Sequence, residues 1–171
     1  GPPNRYQVGR YNVYILTEHQ GQNGIDILID APYDVVEKYA PDGTFANAVN
    51  AVLIEKEGEV WLADTGFGRN IFTQMASVGI TSADVDHLLL THMHGDHIGG
   101  LLKDDKVTFP NATMYIAQIE HDYWANGDHA SQQKIFNAYK DKIKLFTPNE
   151  LTKEKKLLPP GIQGIIAYGH T

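Results

Sequence analysis

Short apolar runs divided by turn residues predict a strand-rich first half of the chain. Val13–Leu16, Ile25–Ile29, Ala51–Ile54 and Val60–Ala63 are aliphatic and β-branched runs with the length of typical strands. The Glu57-Gly58 pair between the last two runs is typical of a tight turn, so these two strands are predicted to form a β-hairpin.

The apolar positions change to a helical period after residue 69. Ile71, Phe72, Met75 and Val78 follow an i, i+1, i+4, i+7 pattern, which predicts a helix with Gly79 as its C-terminal cap. Further strands are predicted at His87–Leu90, Met114–Ala117 and Gly161–Tyr168, and further helices at Glu120–Trp124 and Gln132–Tyr139. The charged residues 140–156 are predicted to be solvated. Because strands and helices alternate, we expect one mixed domain, α/β or α+β, over residues 1–171.

The composition is typical of a soluble globular domain, with 171 residues of which 42% are hydrophobic and 20% charged. No run of about 20 apolar residues occurs, so no membrane partner is expected. The formal net charge of −7 repels phosphate backbones, which argues against nucleic acid as the main partner.

The sequence contains no cysteine, which excludes disulfides, thiolate metal sites and a cysteine nucleophile. A chain without cysteine suits the bacterial cytoplasm and the periplasm or exterior alike, so the compartment stays open. The start of the chain, Gly1-Pro2-Pro3-Asn4, lacks the basic and apolar regions of a secretory signal.

Three histidines and one aspartate fall within six residues directly after an apolar predicted strand. His92 and His94 are two positions apart, so an extended backbone would place both imidazoles on one side. Gly95 allows a sharp turn that would bring Asp96 and His97 toward the same space. Imidazole and carboxylate groups suit zinc or another first-row divalent ion. The segment therefore predicts a metal site; the alternative, a solvated histidine-rich loop, fits an isolated histidine better than this cluster.

The cluster resembles the signature of the metallo-β-lactamase superfamily. His92-x-His94-x-Asp96-His97 is preceded by Asp64-Thr65-Gly66 and followed by Gly169-His170-Thr171. The resemblance covers about residues 50–171. It implies an α+β fold, the four-layer αβ/βα sandwich, with the site at one edge between two sheets.

A second set of residues is similar to one branch of that superfamily, the branch containing N-acyl homoserine lactonases and methyl parathion hydrolase. These residues are Phe109-Pro110-Asn111-Ala112, then Glu120, Tyr123 and Trp124. The resemblance implies a hydrolase that attacks an ester, lactone or phosphotriester of small-molecule size with a metal-activated hydroxide.

The resemblance also implies which residues bind metal. His92, His94 and His170 would hold a first ion, and Asp96 and His97 would contribute to a second. The ions would be zinc, with manganese or iron possible.

Two aspartates have further implied roles. Asp64 would orient a metal ligand by hydrogen bonding. Asp96 has two readings, as a ligand of the second ion or as a catalytic base that bonds the metal-bound water.

Members of the superfamily continue well beyond the histidine that corresponds to His170. That further part supplies a bridging aspartate, a last histidine and most of a second sheet. We therefore expect this sequence to cover the N-terminal half to two-thirds of the domain. An exposed sheet face would also favour self-association, so a homo-oligomer is possible.

Two other functions remain open. The same ligand set serves iron enzymes, including sulfur dioxygenases and flavo-diiron reductases, and a chain with half a site could be an inactive metal-binding fragment. The other histidines and the two tryptophans have simpler interpretations. His19, His87, His121 and His129 are predicted to be surface or hydrogen-bonded residues, and Trp61 and Trp124 core aromatics.

Overall fold

The structure is a computed structural model that describes residues 2–17, 22–24, 44–46 and 49–147. For residues 22–24, 44–46, 49–50 and for Asp96 it describes the backbone alone. The strands predicted at Ile25–Ile29 and Gly161–Tyr168, and His19 and His170, lie outside the described residues.

Eleven strands are present in the described residues, and seven of them form one mixed sheet. The strands are β1 (Arg5–Val8), β2 (Tyr11–Thr17), β3 (Gln22–Gly24), β4 (Thr44–Ala46), β5 (Val49–Lys56), β6 (Glu59–Ala63), β7 (His87–Leu90), β8 (Leu102–Lys103), β9 (Lys106–Val107), β10 (Thr113–Ala117) and β11 (Ile143–Phe146). The large sheet has the order β1-β2-β5-β6-β7-β10-β11. Its first half is antiparallel, whereas β6, β7, β10 and β11 run parallel. β3 pairs with β4, and β8 with β9.

In the same described residues, four α-helices connect or follow the parallel strands. They are α1 (Asn70–Ser77), α2 (Gly95–Ile98), α3 (Gln118–Ala125) and α4 (Ala130–Ala138). Short 3-10 turns occur at Ser82–Asp84 and Lys140–Lys142. Among the residues that the structure describes, no helix is long and apolar enough to cross a membrane.

Side chains on the sheet alternate between two apolar layers, as a period of two requires. Leu62, Leu88 and Leu90 belong to the layer that also contains helical residues such as Met75 and Phe136. On the opposite face, a second cluster contains Val13, Val52, Ile54, Trp61, Ala63, Leu89, Tyr115 and Phe146. The prediction that Trp61 is a core aromatic is confirmed, since it is 5% exposed.

Most of the predicted elements that fall on described residues are confirmed. The hairpin of β5 and β6 turns at Glu57 and Gly58, whose φ angles of 54° and 83° are left-handed. The predicted solvated segment 140–156 is wrong in part, because Ile143–Phe146 forms the edge strand β11 and Phe146 is buried. β1, at the other edge of the sheet, was not predicted.

The parallel pairing of β6 and β7 brings two loops to one edge of the sheet. Ala63 pairs with Leu89, so Asp64, which follows β6, lies beside Thr91, which follows β7. Asp64 N–H donates to the Leu89 carbonyl at 2.9 Å. Residues at the carboxyl ends of neighbouring parallel strands are common components of functional sites.

The two loops are then joined backbone to backbone. Thr65 N–H donates to the His97 carbonyl at 2.8 Å, and Gly99 N–H donates to the Gly66 carbonyl at 2.9 Å. The contact is so close that a Cβ on Gly99 would lie 2.4 Å from the Phe67 carbonyl carbon. Glycine at position 99 is therefore required for this approach, which fixes His97 relative to residues 64–67.

Replacing Gly99 by alanine tests this close packing. We expect Gly99→Ala to lower the free energy of unfolding by about 1–3 kcal/mol, because the two loops must move apart. Gly95→Ala is the matched control, since its Cβ would meet nothing within 4 Å. Chemical denaturation measures both variants, and equal stability of the two would contradict the packing argument.

Candidate metal centre

A fully buried carboxylate organises the residues after β7. Asp64 is 0% exposed, and its carboxylate accepts hydrogen bonds from Thr91 and His97. Its Oδ1 accepts from Thr91 N–H at 2.9 Å, and its Oδ2 accepts from Thr91 Oγ1 at 2.6 Å and from His97 Nδ1 at 3.0 Å. Such partners offset the large cost of burying a carboxylate. The φ of Asp64 is +63°, a left-handed value that aspartate tolerates better than most residues.

These bonds determine which nitrogens of two histidines carry hydrogen. An ionised carboxylate only accepts, so His97 must donate from Nδ1. Thr91 gives its hydroxyl hydrogen to Asp64, so the Thr91 oxygen accepts from His92 Nδ1, 3.3 Å away. A neutral imidazole that carries its hydrogen on Nδ1 carries none on Nε2, so in both rings Nε2 is the nitrogen with the chemistry of a metal ligand.

The imidazole rings of the predicted ligands lie close together. The centroid of His92 is 5.2 Å from that of His97 and 6.4 Å from that of His94. His94 precedes the first turn of α2, and His97 N–H donates to the His94 carbonyl at 2.9 Å. The predicted turn at Gly95 thus brings the third ring back toward the first.

Aromatic side chains border His94. The Trp124 ring meets His94 edge-on, with centroids 5.2 Å apart. Tyr123 and His129 contact Trp124 at centroid distances of 5.1 and 4.6 Å. Trp124 was predicted to be a core aromatic; it does pack against the core, but it also lies beside a predicted metal ligand.

The donor chemistry of this cluster fits a divalent metal ion. Neutral imidazoles whose Nδ1 is bonded to an acceptor, with Nε2 free, are the form in which histidine usually binds metal. Within the described part of the chain, no group of three or more His, Asp or Glu side chains lies close enough to hold one ion. The predicted ligand set also includes the side chain of Asp96 and His170, neither of which is described. The ligand assignment therefore stays a prediction.

His87 and His121 have structural partners away from this cluster, whereas His129 packs on Trp124. His87 Nε2 lies 2.6 Å from Glu59 Oε1, its Nδ1 lies 3.2 Å from the Tyr115 hydroxyl, and its ring stacks on Trp61. Burial raises the pKa of Tyr115, and the charge of Glu59 adds to this effect. His121 packs on a core phenylalanine.

Sequence reasoning did not identify every residue that shapes the site. Thr91 was not singled out, although its hydroxyl links Asp64 to His92. Gln132 was not singled out either, although its Nε2 donates to the Met93 carbonyl at 2.7 Å. A threonine between a strand and a histidine cluster could have been noticed, whereas nothing in the sequence points to Gln132.

Comparison with known proteins identifies the family. The model of the metallo-beta-lactamase superfamily matches residues 44–171, which is more than half of the sequence. The chain therefore belongs to the metallo-beta-lactamase superfamily, and the resemblance in the sequence is confirmed.

Two curated relatives match over shorter stretches. The uncharacterized protein YobT of Bacillus subtilis (strain 168) is 34% identical over 87 residues, which cover 50% of this chain and 36% of YobT. Ribonuclease Z of Haloferax volcanii is 45% identical over 58 residues, covering 34% of this chain and 17% of that protein. The chain thus matches only a minor part of the length of these relatives.

Solved structures share the fold. AidC, a dizinc quorum-quenching lactonase, has a TM-score of 0.66 and 24% identity, covering 90% of this chain and 63% of AidC. The hydrolase AbOPH has a TM-score of 0.61 and 22% identity, covering 85% of this chain and 61% of that one. Identities this low establish the fold alone, and they confirm the predicted α+β metallo-β-lactamase-like fold, of which this chain forms a part.

Asp64→Asn tests the role of the buried carboxylate. Asparagine has only one accepting oxygen, so it cannot serve both Thr91 groups and His97 as the carboxylate does. We expect zinc affinity to fall about 10–100-fold, because His97 loses the acceptor that fixes its tautomer and orientation.

Titration of the metal-free protein against a chromophoric zinc chelator measures the change. Glu59→Gln is the matched control, because it alters a carboxylate–histidine pair at the opposite end of β6. If Asp64→Asn binds zinc as tightly as Glu59→Gln, Asp64 does not orient a metal ligand.

Proposed function

We propose that this chain carries the metal-binding part of a metal-dependent hydrolase that acts on a small ester, lactone or phosphotriester. The observation that supports it best is the arrangement around Asp64. One buried carboxylate, directly and through Thr91, holds two clustered histidines by Nδ1. A histidine-rich surface loop has no need of this arrangement, whereas a metal centre depends on it.

The proposed ligands are His92, His94 and His170 for one ion, and Asp96 and His97 for a second. Bound zinc would act as a Lewis acid and lower the pKa of a water molecule toward neutrality. Asp64 and Thr91 keep the rings of His97 and His92 in the orientation that metal binding requires. Asp96, at the second position of α2, would bind the second ion or accept a proton from the attacking water.

The surroundings of His94 favour a small organic substrate. Tyr123 is 63% exposed and contacts Trp124, which in turn contacts His94. Tyr123 also lines a mostly apolar pocket of about 550 Å³, whose other lining residues are Gln118, Ile119, Asp122, Phe146 and Thr147. An apolar group of a substrate could lie along these side chains, consistent with a lactonase-like branch. The net charge of −7 gives no support for nucleic acid as the substrate.

Iron chemistry and an inactive fragment are the two competing proposals. A sulfur dioxygenase or flavo-diiron enzyme would use the same residue types with iron. Metal analysis of the purified protein separates the two enzyme classes, because the sulfur dioxygenase or flavo-diiron enzyme would contain iron. A hydrolase should be active with zinc or manganese. A fragment would bind metal and show no turnover with any of them.

The experiment removes and restores the metal while hydrolysis of three substrates is measured. The protein is treated with a chelator, reloaded with zinc, manganese or iron, and assayed with an aryl ester, an acyl lactone and a phosphotriester. We expect hydrolysis of at least one substrate to disappear on chelation and return with zinc or manganese. Activity that survives complete metal removal would contradict the proposal.

Substitutions in the same assay separate ligands from bystanders. His92→Ala and Asp96→Asn should each lose most of the activity, since both readings of Asp96 require its carboxylate. His121→Ala is the control, because His121 contacts Asp122 and Phe136 rather than the cluster. Near-normal turnover in Asp96→Asn would exclude both roles proposed for that residue.

A further inference from the structure

The peptide groups of Met93 are held by side chains from two helices. Met93 lies between His92 and His94, in a stretch that is neither strand nor helix, and it is fully buried. Its N–H donates to Glu120 Oε1 at 3.0 Å, and its carbonyl accepts from Gln132 Nε2 at 2.7 Å. Irregular buried backbone needs such partners, because no neighbouring strand supplies them.

Glu120 also reaches His94 by a second route. The same Oε1 atom that binds Met93 N–H accepts from Trp124 Nε1 at 2.9 Å. Trp124 meets the ring of His94 edge-on, at a centroid distance of 5.2 Å. Glu120 lies in the first turn of α3, where the helix terminus favours a negative charge. Glu120 Oε1 therefore fixes both the backbone of Met93, which precedes His94, and the Trp124 ring, which packs on His94.

Gln132 supplies the complementary bond from α4. Residues 118–125 and 130–138 contact each other, so the two helices present an acceptor and a donor to the same residue. Both Glu120 and Gln132 are half-buried, so water competes only partly for these bonds. The pair thus limits rotation of the backbone on either side of Met93.

We propose that Glu120 and Gln132 form a clamp on Met93 that positions His92 and His94 for metal binding. The proposal rests on the proposed function, in which these two histidines are ligands. Glu120 and Gln132 are positioning residues, since they act through the backbone and through Trp124. Without the clamp, the two rings would sample orientations in which they cannot bind one ion together, and metal affinity would fall.

Substitutions of similar shape separate this role from simple packing. Glu120→Gln keeps an accepting oxygen for Met93 N–H and Trp124, whereas Glu120→Ala removes it. Gln132→Glu keeps the shape but replaces the donor by a carboxylate that faces the Met93 carbonyl. Gln74→Ala is the matched control. Gln74 is a buried amide of α1 that accepts from Thr17 N–H, at the end of β2, at 2.8 Å.

Two measurements are made on each variant: zinc affinity by chelator competition, and amide hydrogen exchange of the metal-free protein over residues 92–94. We expect Glu120→Ala and Gln132→Glu to bind zinc about tenfold or more weakly and to exchange faster in this segment. Glu120→Gln should retain most of the affinity. Gln74→Ala should lower the unfolding temperature but leave both measurements unchanged.

The outcomes distinguish this proposal from the proposed function. Unchanged zinc affinity in Glu120→Ala and Gln132→Glu overturns the clamp, and so does an equal loss in Gln74→Ala, which would show a general effect of stability. If the unsubstituted protein binds no zinc, the proposed function fails. Hydrogen exchange then decides separately whether the clamp orders residues 92–94, and unchanged exchange overturns it.

Discussion

The buried Asp64 carboxylate is the interaction on which the site depends. Burying a charge without partners would cost several kcal/mol, so its hydrogen bonds to Thr91 and His97 are needed for the fold as well as for any chemistry. The same bonds set the tautomer of His97 directly and that of His92 through the Thr91 hydroxyl. The stability of the fold and the proposed metal binding therefore both require the hydrogen bonds of the Asp64 carboxylate.

The sheet provides the place for this interaction. β6 and β7 are parallel neighbours, so the residues that follow them leave the sheet at one edge, and Asp64 meets Thr91 without a long connection. Backbone hydrogen bonds between residues 65–66 and 97–99 then place His97 beside the Asp64 carboxylate. Backbone contacts of this kind are stiff, which allows a short segment to hold several side chains in fixed relation.

The parts of the site that depend on local sequence could be predicted. His92, His94 and His97 lie in one short segment, and a turn at Gly95 was enough to predict that their rings converge. The carboxylate at Asp64 was predicted from its resemblance to a family motif. Gln132 could not be predicted, because its bond to Met93 depends on how α4 packs, and that is decided by tertiary contacts rather than by local pattern.

The same distinction explains the errors in the fold. β11 was missed because Lys144 and the charged residues around the strand suggest a solvated segment, yet an edge strand can expose Lys144 while its neighbours pack. Trp124 packs against the core, as predicted, but the sequence did not predict its second contact. Its contact with His94 becomes visible only when α3 is placed against the loop after β7.

Asp64 and Thr91 hold His97 and His92 with hydrogen on Nδ1, the tautomer in which histidine binds a metal ion through Nε2. A long-range ¹H–¹⁵N correlation spectrum of the histidine rings in the zinc-loaded protein tests this most directly. We expect protonated Nδ1 and metal-bound Nε2 in both rings. Protonated Nε2 in His97, with its Nδ1 bound to zinc, would contradict it.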